Sequence, residues 1–276
     1  IVSCGRSGTT LLRRSLMEYE YLHIPPETYV LPEIADVHEI NPALSWQDLI
    51  AVVVGRFECH PDFLRWGISL APLARQLVSM PQERQSVAAI LDAIYRYHGA
   101  EQGREVYRWG EKTPIYVFHL NIIRQLFPDA KFIHLIRDGV DVVSSLMRMK
   151  GRGNTLESAA KRWKRSVLNF DDFYSKHPGA CLELRYEDLV KNPSMAIKEV
   201  CEFIGIPYKN SMDSTNSIPK DVSGKEWHKN LQKPVNLTSI GKGRNRLDSA
   251  QKQRLDSIIG KELIAKGYEP AQPISK

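Results

Sequence analysis

Near the start of the chain, Gly5-Arg6-Ser7-Gly8-Thr9-Thr10 combines glycines, hydroxyls and a guanidinium in a pattern suited to holding an anion. The short apolar segment Ile1-Val2 leads in, and Leu11, Leu12, Leu16 and Met17 follow at helical spacing. A tight turn that opens a helix presents backbone N–H groups with no intrahelical partner, and the helix dipole adds partial positive charge. Phosphate is the usual guest of such a turn. A nucleotide-triphosphate loop reads G-x-x-x-x-G-K-[ST], its lysine reaching the β- and γ-phosphates. Here Thr9 follows Gly8, so a kinase or GTPase reading lacks its central cation. Arg6, inside the turn, offers a different one.

A second anion-binding candidate is Ile136-Arg137-Asp138-Gly139 with Ser144-Ser145 on the helix that follows. Arg137 ends an apolar strand, where its guanidinium can fork onto a phosphate. Ser145 lies eight residues later and can reach the same anion. The alternative is an arginine that satisfies helix carbonyls and a serine on a helix face. Lys112, in Gly110-Glu111-Lys112-Thr113-Pro114, is a further cation at a strand end; its plain alternative is a lysine in solvent.

These residues need a scaffold that delivers strand ends to one place. Residues 1–18 read as strand, loop and helix, and His23 to Pro32 as an irregular proline-rich crossing. Residues 45–98 have helical apolar spacing, broken at Pro61, Pro72 and Pro81. Glu105 to Gly110 reads as a short strand, Ile115 to Leu126 as a helix, and Lys131 to Ile136 as a buried strand. Asp138 caps a helix to about Met149, and residues 155–176 form a long amphipathic helix. Ala180 to Arg185 is another strand, and Asn192-Pro193 starts a helix that ends near Gly205. Residues 208–246 read as loop-rich, and a last helix spans about Ser249 to Lys266. Strands alternating with helices argue for an α/β fold with a central parallel sheet flanked by helices. Ligands of such sheets sit beyond the carboxyl ends of the strands, where each motif above falls.

The 276 residues are 42% hydrophobic and 25% charged, enough for one large α/β domain over 1–276. No linker composition divides them. The net charge of +6 suits anionic ligands but does not by itself separate nucleotides from nucleic acid or a membrane surface. No apolar run approaches the roughly 18 residues of a membrane span. No signal peptide is visible. The basic run Lys161-Arg162-Trp163-Lys164-Arg165 fits a helix with Trp163 inward and its charges in water; no nucleic-acid motif accompanies it. Cys4, Cys59, Cys181 and Cys201 form no metal-type spacing, and the histidines form no metal cluster. Reduced structural thiols, no metal and a cytoplasmic setting are therefore the expectation.

Taken together, the two anion motifs resemble those of sulfotransferases that use 3′-phosphoadenosine 5′-phosphosulfate. In that family a turn of the form x-R-S-G-T-T holds the 5′-phosphosulfate, and a strand-end arginine with a serine eight residues on holds the 3′-phosphate. Gly5 to Thr10 and Arg137…Ser145 match both in type, order and spacing. Leu184-Arg185-Tyr186-Glu187-Asp188-Leu189 with Asn192-Pro193 resembles the family's R-Y-E-D-L segment. Lys233-Pro234-Val235-Asn236-Leu237 and Ile240-Gly241-Lys242 resemble its nucleotide-closing loop. The likeness spans nearly the whole chain and is nearest to the tyrosylprotein branch and its bacterial relatives.

The resemblance implies a P-loop NTPase-like sulfotransferase fold and a role for each residue. Arg6, Ser7, Gly8, Thr9 and Thr10 would hold the 5′ end of the donor. Arg137 and Ser145 would hold the 3′-phosphate, with Lys242 and Arg244 closing over it and Tyr186 touching the adenosine or simply anchoring its turn. Pro25-Pro26-Glu27-Thr28 matches the branch's base motif, which makes Glu27 the group that takes the acceptor's proton. Lys112 would stand beside the bridging oxygen and, with Arg6, neutralise charge on the departing nucleotide. No metal is implied. The partners are the nucleotide donor and an acceptor, peptidyl tyrosine or a small-molecule hydroxyl or amine. The acceptor side would lie in the helical region 38–100, and a homodimer stays open.

Some features depart from the branch. No cysteine stands just before Glu27 or Lys112, unlike the animal enzymes, which leans toward a bacterial enzyme. The histidine that small-molecule sulfotransferases place after the lysine is absent; His119 is several residues away. Trp227-His228 occupies the neighbourhood of a serine that assists the leaving group in the tyrosylprotein branch. Two competing readings stand beside this one: a nucleotide kinase with a degenerate loop, and a non-catalytic module that binds adenosine 3′,5′-bisphosphate.

Overall fold

In the computed structural model, residues 1–40, 43–149, 154–209 and 237–272 are described. Among them are four short strands: β1 (Leu22–His23), β2 (Arg108–Trp109), β3 (Phe132–Ile136) and β4 (Cys181–Arg185). All pairings are parallel. β3 is buried at every residue, as its Phe-Ile-His-Leu-Ile run requires of a strand covered on both faces. β4 pairs along its length, with Phe132 opposite Cys181 and Ile136 opposite Arg185. On the other side of β3, Val2 bridges His134: Val2 N–H donates to Ile133 O at 2.9 Å, and Leu135 N–H to Val2 O at 3.0 Å. β1 and β2 form a separate ladder. Ser3 N–H donates to Pro114 O at 3.0 Å and ties the Val2 segment to the chain beyond β2.

The described helices are α1 (Thr9–Leu16), α2 (Leu31–Ile40), α3 (Trp46–Glu58), α4 (Ala71–Leu77), α5 (Val87–Glu101), α6 (Leu120–Leu126), α7 (Gly139–Met147), α8 (Leu156–Lys176), α9 (Tyr186–Lys191), α10 (Pro193–Ile204) and α11 (Ser249–Ala265). They cover the strands on two sides. Leu12, Leu16, Ile197 and Val200 of α1 and α10 pack with Ile133, Leu135 and Leu184. On the opposite side Val140, Val143, Trp163, Ile259 and Leu263 of α7, α8 and α11 pack with Ile136. A third core, centred on Phe57, Trp66, Ile94 and Tyr95, holds the helical region together.

Local sequence explains the helix ends. Asp138 caps α7 by accepting from Val140 N–H at 2.8 Å. Capping boxes open α8 (Thr155 with Ser158) and α11 (Asp248 with Gln251). Pro193 stands in the first turn of α10, and Gly205, at φ +68°, ends it.

The mixed parallel architecture and most element positions agree with expectation. Four details differ. The chain from Ile115 to Leu126 is a 3₁₀ turn (Pro114–Phe118) followed by α6, with His119 between them. Pro72 stands in the first turn of α4, so it starts a helix instead of breaking one. The crossing from His23 is shorter than expected: Leu22–His23 is paired, and α2 begins at Leu31. Tyr186 opens the short helix α9 directly after β4. The segment Lys233 to Asn236 and the Trp227-His228 pair lie outside the described residues.

Candidate active site

The turn before α1 runs through left-handed backbone: Gly5 at φ +91°, Arg6 at +59° and Gly8 at +92°. Ser3 Oγ accepts from Gly5 N–H at 2.9 Å and stabilises the bend. Gly8 has a second reason to be glycine, because a Cβ there would sit 2.4 Å from Cδ2 of Tyr186. The turn thereby aims the first amides of α1, those of Thr9 and Thr10, at the concave side of the loop. Ser7 and Thr9 are buried, and Thr10 is half-buried.

The two anion motifs meet. Arg6 Nε donates to Ser145 Oγ at 3.2 Å across 139 residues of sequence. Arg137 Nη1 donates to the backbone oxygen of Arg6 at 3.0 Å, and Nη2 to Ser239 O at 2.7 Å. Arg137 Nε is buried without a hydrogen-bond partner. Burial, and then the like charge of Arg137, lower the pKa of Arg6 below its ordinary value. Two close guanidinium groups and an unmet buried donor are what a dianion would satisfy.

Tyr186 supports this cluster from below Gly8. Its ring lies under Gly8, the Arg137 guanidinium stands 4.5 Å from its centroid, and its hydroxyl pairs with Ser239 Oγ at 2.6 Å. These contacts make it an anchor for the turn and for Arg137. The following turn is held by Asp141, whose carboxylate accepts from Gly241 N–H at 2.9 Å and Gly243 N–H at 2.6 Å. Lys242 sits between those amides. Arg244 pairs with Asp138 at 3.0 Å and donates to the carbonyls of Glu269 and Pro270. That arrangement ties the C-terminal segment to the cap of α7.

A second cluster of candidate residues lies beyond β2. Lys112, with its side chain only 3% exposed, bonds the half-buried carboxylate of Glu27. A polar cluster beneath fixes both. Glu111 turns inward and accepts from Thr113 N–H at 2.7 Å and from the Thr28 hydroxyl at 3.3 Å. Thr28 N–H donates to Thr113 Oγ1 at 3.2 Å, and the Thr28 hydroxyl pairs with that of Tyr116 at 2.9 Å. Burial raises the pKa of Glu111. Tyr29, at φ +62°, donates its hydroxyl to Glu27 and stacks on His60, centroids 5.6 Å apart. Arg13 Nε donates to Ile24 O at 2.8 Å and joins α1 to the segment leading to Glu27.

A profile described as the sulfotransferase family matches residues 1–210. The chain belongs to the sulfotransferase family. This member is 24% identical over 275 residues to protein-tyrosine sulfotransferase A of Caenorhabditis elegans, across 96% of its own length and 65% of the relative's. It is 25% identical over 278 residues to protein-tyrosine sulfotransferase 1 of Danio rerio, across 96% of its own length and 70% of the relative's. It thus spans about two thirds of the length of these relatives. Among solved structures, the sulfotransferase domain of the Synechococcus PCC 7002 olefin synthase superposes with TM-score 0.63 at 24% identity, over 95% of this chain and 92% of that one. That likeness shows a shared fold.

Other features of this sulfotransferase bound the site. Among the described residues no group of histidine, cysteine or acidic side chains could hold a metal ion, and no helix is long and apolar enough to cross a membrane. All four cysteines are free. Burial pushes the Cys4 thiol, at the start of the anion turn, up to about 12. A cavity of about 730 Å³ lies between Ile1-Val2, β2 and α6, with walls that include Leu22, Trp109, Ile123 and Phe127. It borders the Lys112 neighbourhood through Glu111 and contains none of the anion-turn residues. Sequence reading missed Asp141, Tyr29 and Tyr116. Asp141 carried one visible signal, its spacing one helical turn after Arg137.

Proposed function

We propose that this protein transfers a sulfuryl group from 3′-phosphoadenosine 5′-phosphosulfate to an acceptor hydroxyl. The observation that carries this reading is the convergence of Arg6, Ser145 and Arg137, with Arg137 Nε buried and unmet. A 3′-phosphate fits that cluster, and the adjoining turn from Gly5 to Thr10 fits the 5′ end. The acceptor oxygen bonds to sulfur as the bond from sulfur to the bridging phosphate oxygen breaks. Glu27 takes the acceptor's proton, and the departing adenosine 3′,5′-bisphosphate leaves with its new charge facing Lys112 and Arg6. Glu27 and Lys112 are bonded to each other, so the proposed base and the proposed cation stand side by side.

Peptidyl tyrosine is the acceptor this reading favours. Two relatives are named for protein-tyrosine sulfation. Within the chain, the phenol of Tyr29 already donates to Glu27, the interaction an acceptor phenol would make. The test is a screen with radiolabelled donor against tyrosine peptides and against hydroxylated or amine metabolites. Label on a peptide tyrosine supports the reading, label on a metabolite alone moves the acceptor to a small molecule, and label on nothing favours a non-catalytic nucleotide-binding module. We further propose a cytoplasmic setting; titration of all four cysteines as free thiols in protein isolated without reductant, with activity in the cytosolic fraction, would support it.

A further inference from the structure

The Asp141 carboxylate stands beside Arg137, where an acid would ordinarily neutralise a phosphate-binding arginine. Its geometry is different. The side chain is 1% exposed, and its two short bonds, 2.6 and 2.9 Å, go to the amides of Gly243 and Gly241. The contact to Arg137 Nη2 is 3.4 Å, at the edge of hydrogen-bond range. Asp141 is thus shared: its short bonds hold the turn, and its longer one pairs with Arg137. The turn is shaped for this. Gly241 is left-handed at φ +74°, and a Cβ on Gly243 would lie 2.4 Å from Val140 O. The chain just before it is held by Arg137 and Tyr186 through Ser239.

We propose that Asp141 is a positioning residue for donor specificity: it fixes the turn 239–243 so that Lys242 is presented with Arg137 to the 3′-phosphate. The inference rests on the nucleotide reading above and adds a division of labour to it. α7 carries Asp141 and Ser145 one turn apart, and Arg137 stands one turn before Asp141, just ahead of the cap. A sequence with the same arginine and serine but no acid between them would bind adenine nucleotides with less regard for the 3′ position.

The experiment compares affinities for adenosine 3′,5′-bisphosphate and adenosine 5′-phosphate by calorimetry, in the native protein, Asp141→Asn, Lys242→Ala and the double variant. The ratio of the two affinities should fall about tenfold in each single variant, with no further fall in the double variant, because coupled residues are non-additive. Binding of the 5′-phosphate alone should stay near the native value. An unchanged ratio in Asp141→Asn, or equal losses for both nucleotides, overturns the proposal. Should Asp141→Asn fail to fold, Lys242→Ala decides: a full native preference without Lys242 overturns it equally. A native protein with no preference for the bisphosphate would instead overturn the nucleotide reading itself.

Discussion

The ammonium of Lys112 is bonded to the carboxylate of Glu27, 85 residues earlier in the chain. Neither segment is regular structure, and the pair exists because Thr28, Glu111, Thr113 and Tyr116 lace the two segments together underneath it. In the proposed reaction one partner receives a proton and the other faces the leaving oxygen. Glu27→Gln keeps the shape and removes the base, so turnover should fall by about 100-fold or more while nucleotide affinity holds. Lys112→Met should lower turnover by a similar order. The double variant should be little worse than the poorer single one, because the two act as a unit. Single-turnover kinetics with saturating donor would measure all three; a native rate in Glu27→Gln removes it from the mechanism.

Arg137 gives a binding prediction. It holds the backbone of Arg6 and Ser239 and keeps one buried donor unmet. Arg137→Ala should weaken adenosine 3′,5′-bisphosphate by about 10- to 100-fold, the scale of a charge-assisted hydrogen bond. Adenosine 5′-phosphate should lose much less. Equal losses would reduce Arg137 to a scaffold residue.

Gly8 tests the anion turn. At φ +92° an L side chain is strained, and its Cβ would meet the Tyr186 ring at 2.4 Å. That ring cannot retreat cheaply, because Arg137 covers it and Ser239 holds its hydroxyl. Gly8→Ala should cost about 1–3 kcal/mol of stability from backbone strain alone and abolish nucleotide binding. Tyr186→Ala is itself destabilising because the ring anchors the turn, so the clash is read from the cycle: Gly8→Ala should cost less stability in the Tyr186→Ala background than in the native one, and binding should stay lost.

The signals that were legible in the sequence are those set by short spacing. The turn from Gly5 to Thr10, the strand-end Arg137 and the cap at Asp138 depend on glycine conformations, β-branched content and side-chain caps that adjacent residues dictate. What was not legible depended on chain segments meeting. The Tyr29 contact to Glu27 arises from a left-handed tyrosine, which no local rule favours. The partners of Arg244 likewise come from afar: Asp138 and the returning C-terminal segment. The split at His119, whose φ of −135° leaves the helical region, has no signal in the continuous apolar spacing of that segment.

Trp163 connects the helical cover to the site. Its indole N–H donates to Arg137 O at 3.0 Å, and its ring packs where a Cβ on Gly139 would lie, 3.0 Å away. Trp163→Phe keeps most of the packing and leaves the Arg137 carbonyl unpaired in a buried setting. The expected loss is about 1–3 kcal/mol, read from urea unfolding. Because the freed carbonyl is that of Arg137 itself, just past β3, the 3′-phosphate preference should fall with it; intact preference would mean that α8 supports the fold and not the arginine.

The buried pair of His23 and His98 sets an acid limit on stability. His23 Nε2 and His98 Nδ1 are 2.7 Å apart, so one donates to the other and a proton added to the acceptor breaks the bond. Burial, followed by the neighbouring charges of His98, Arg104 and Arg13, lowers the His23 pKa to about 3 from an ordinary 6.5. The unfolded chain therefore takes up this proton first. The stability tied to a neutral His23 is whole above pH 6.5 and drains as pH falls from there toward 3. Urea midpoints measured from pH 7.5 to pH 4.5 should decline in the native protein and decline less steeply in His23→Gln. Parallel declines would mean that His23 protonates in the folded state as readily as in the unfolded one.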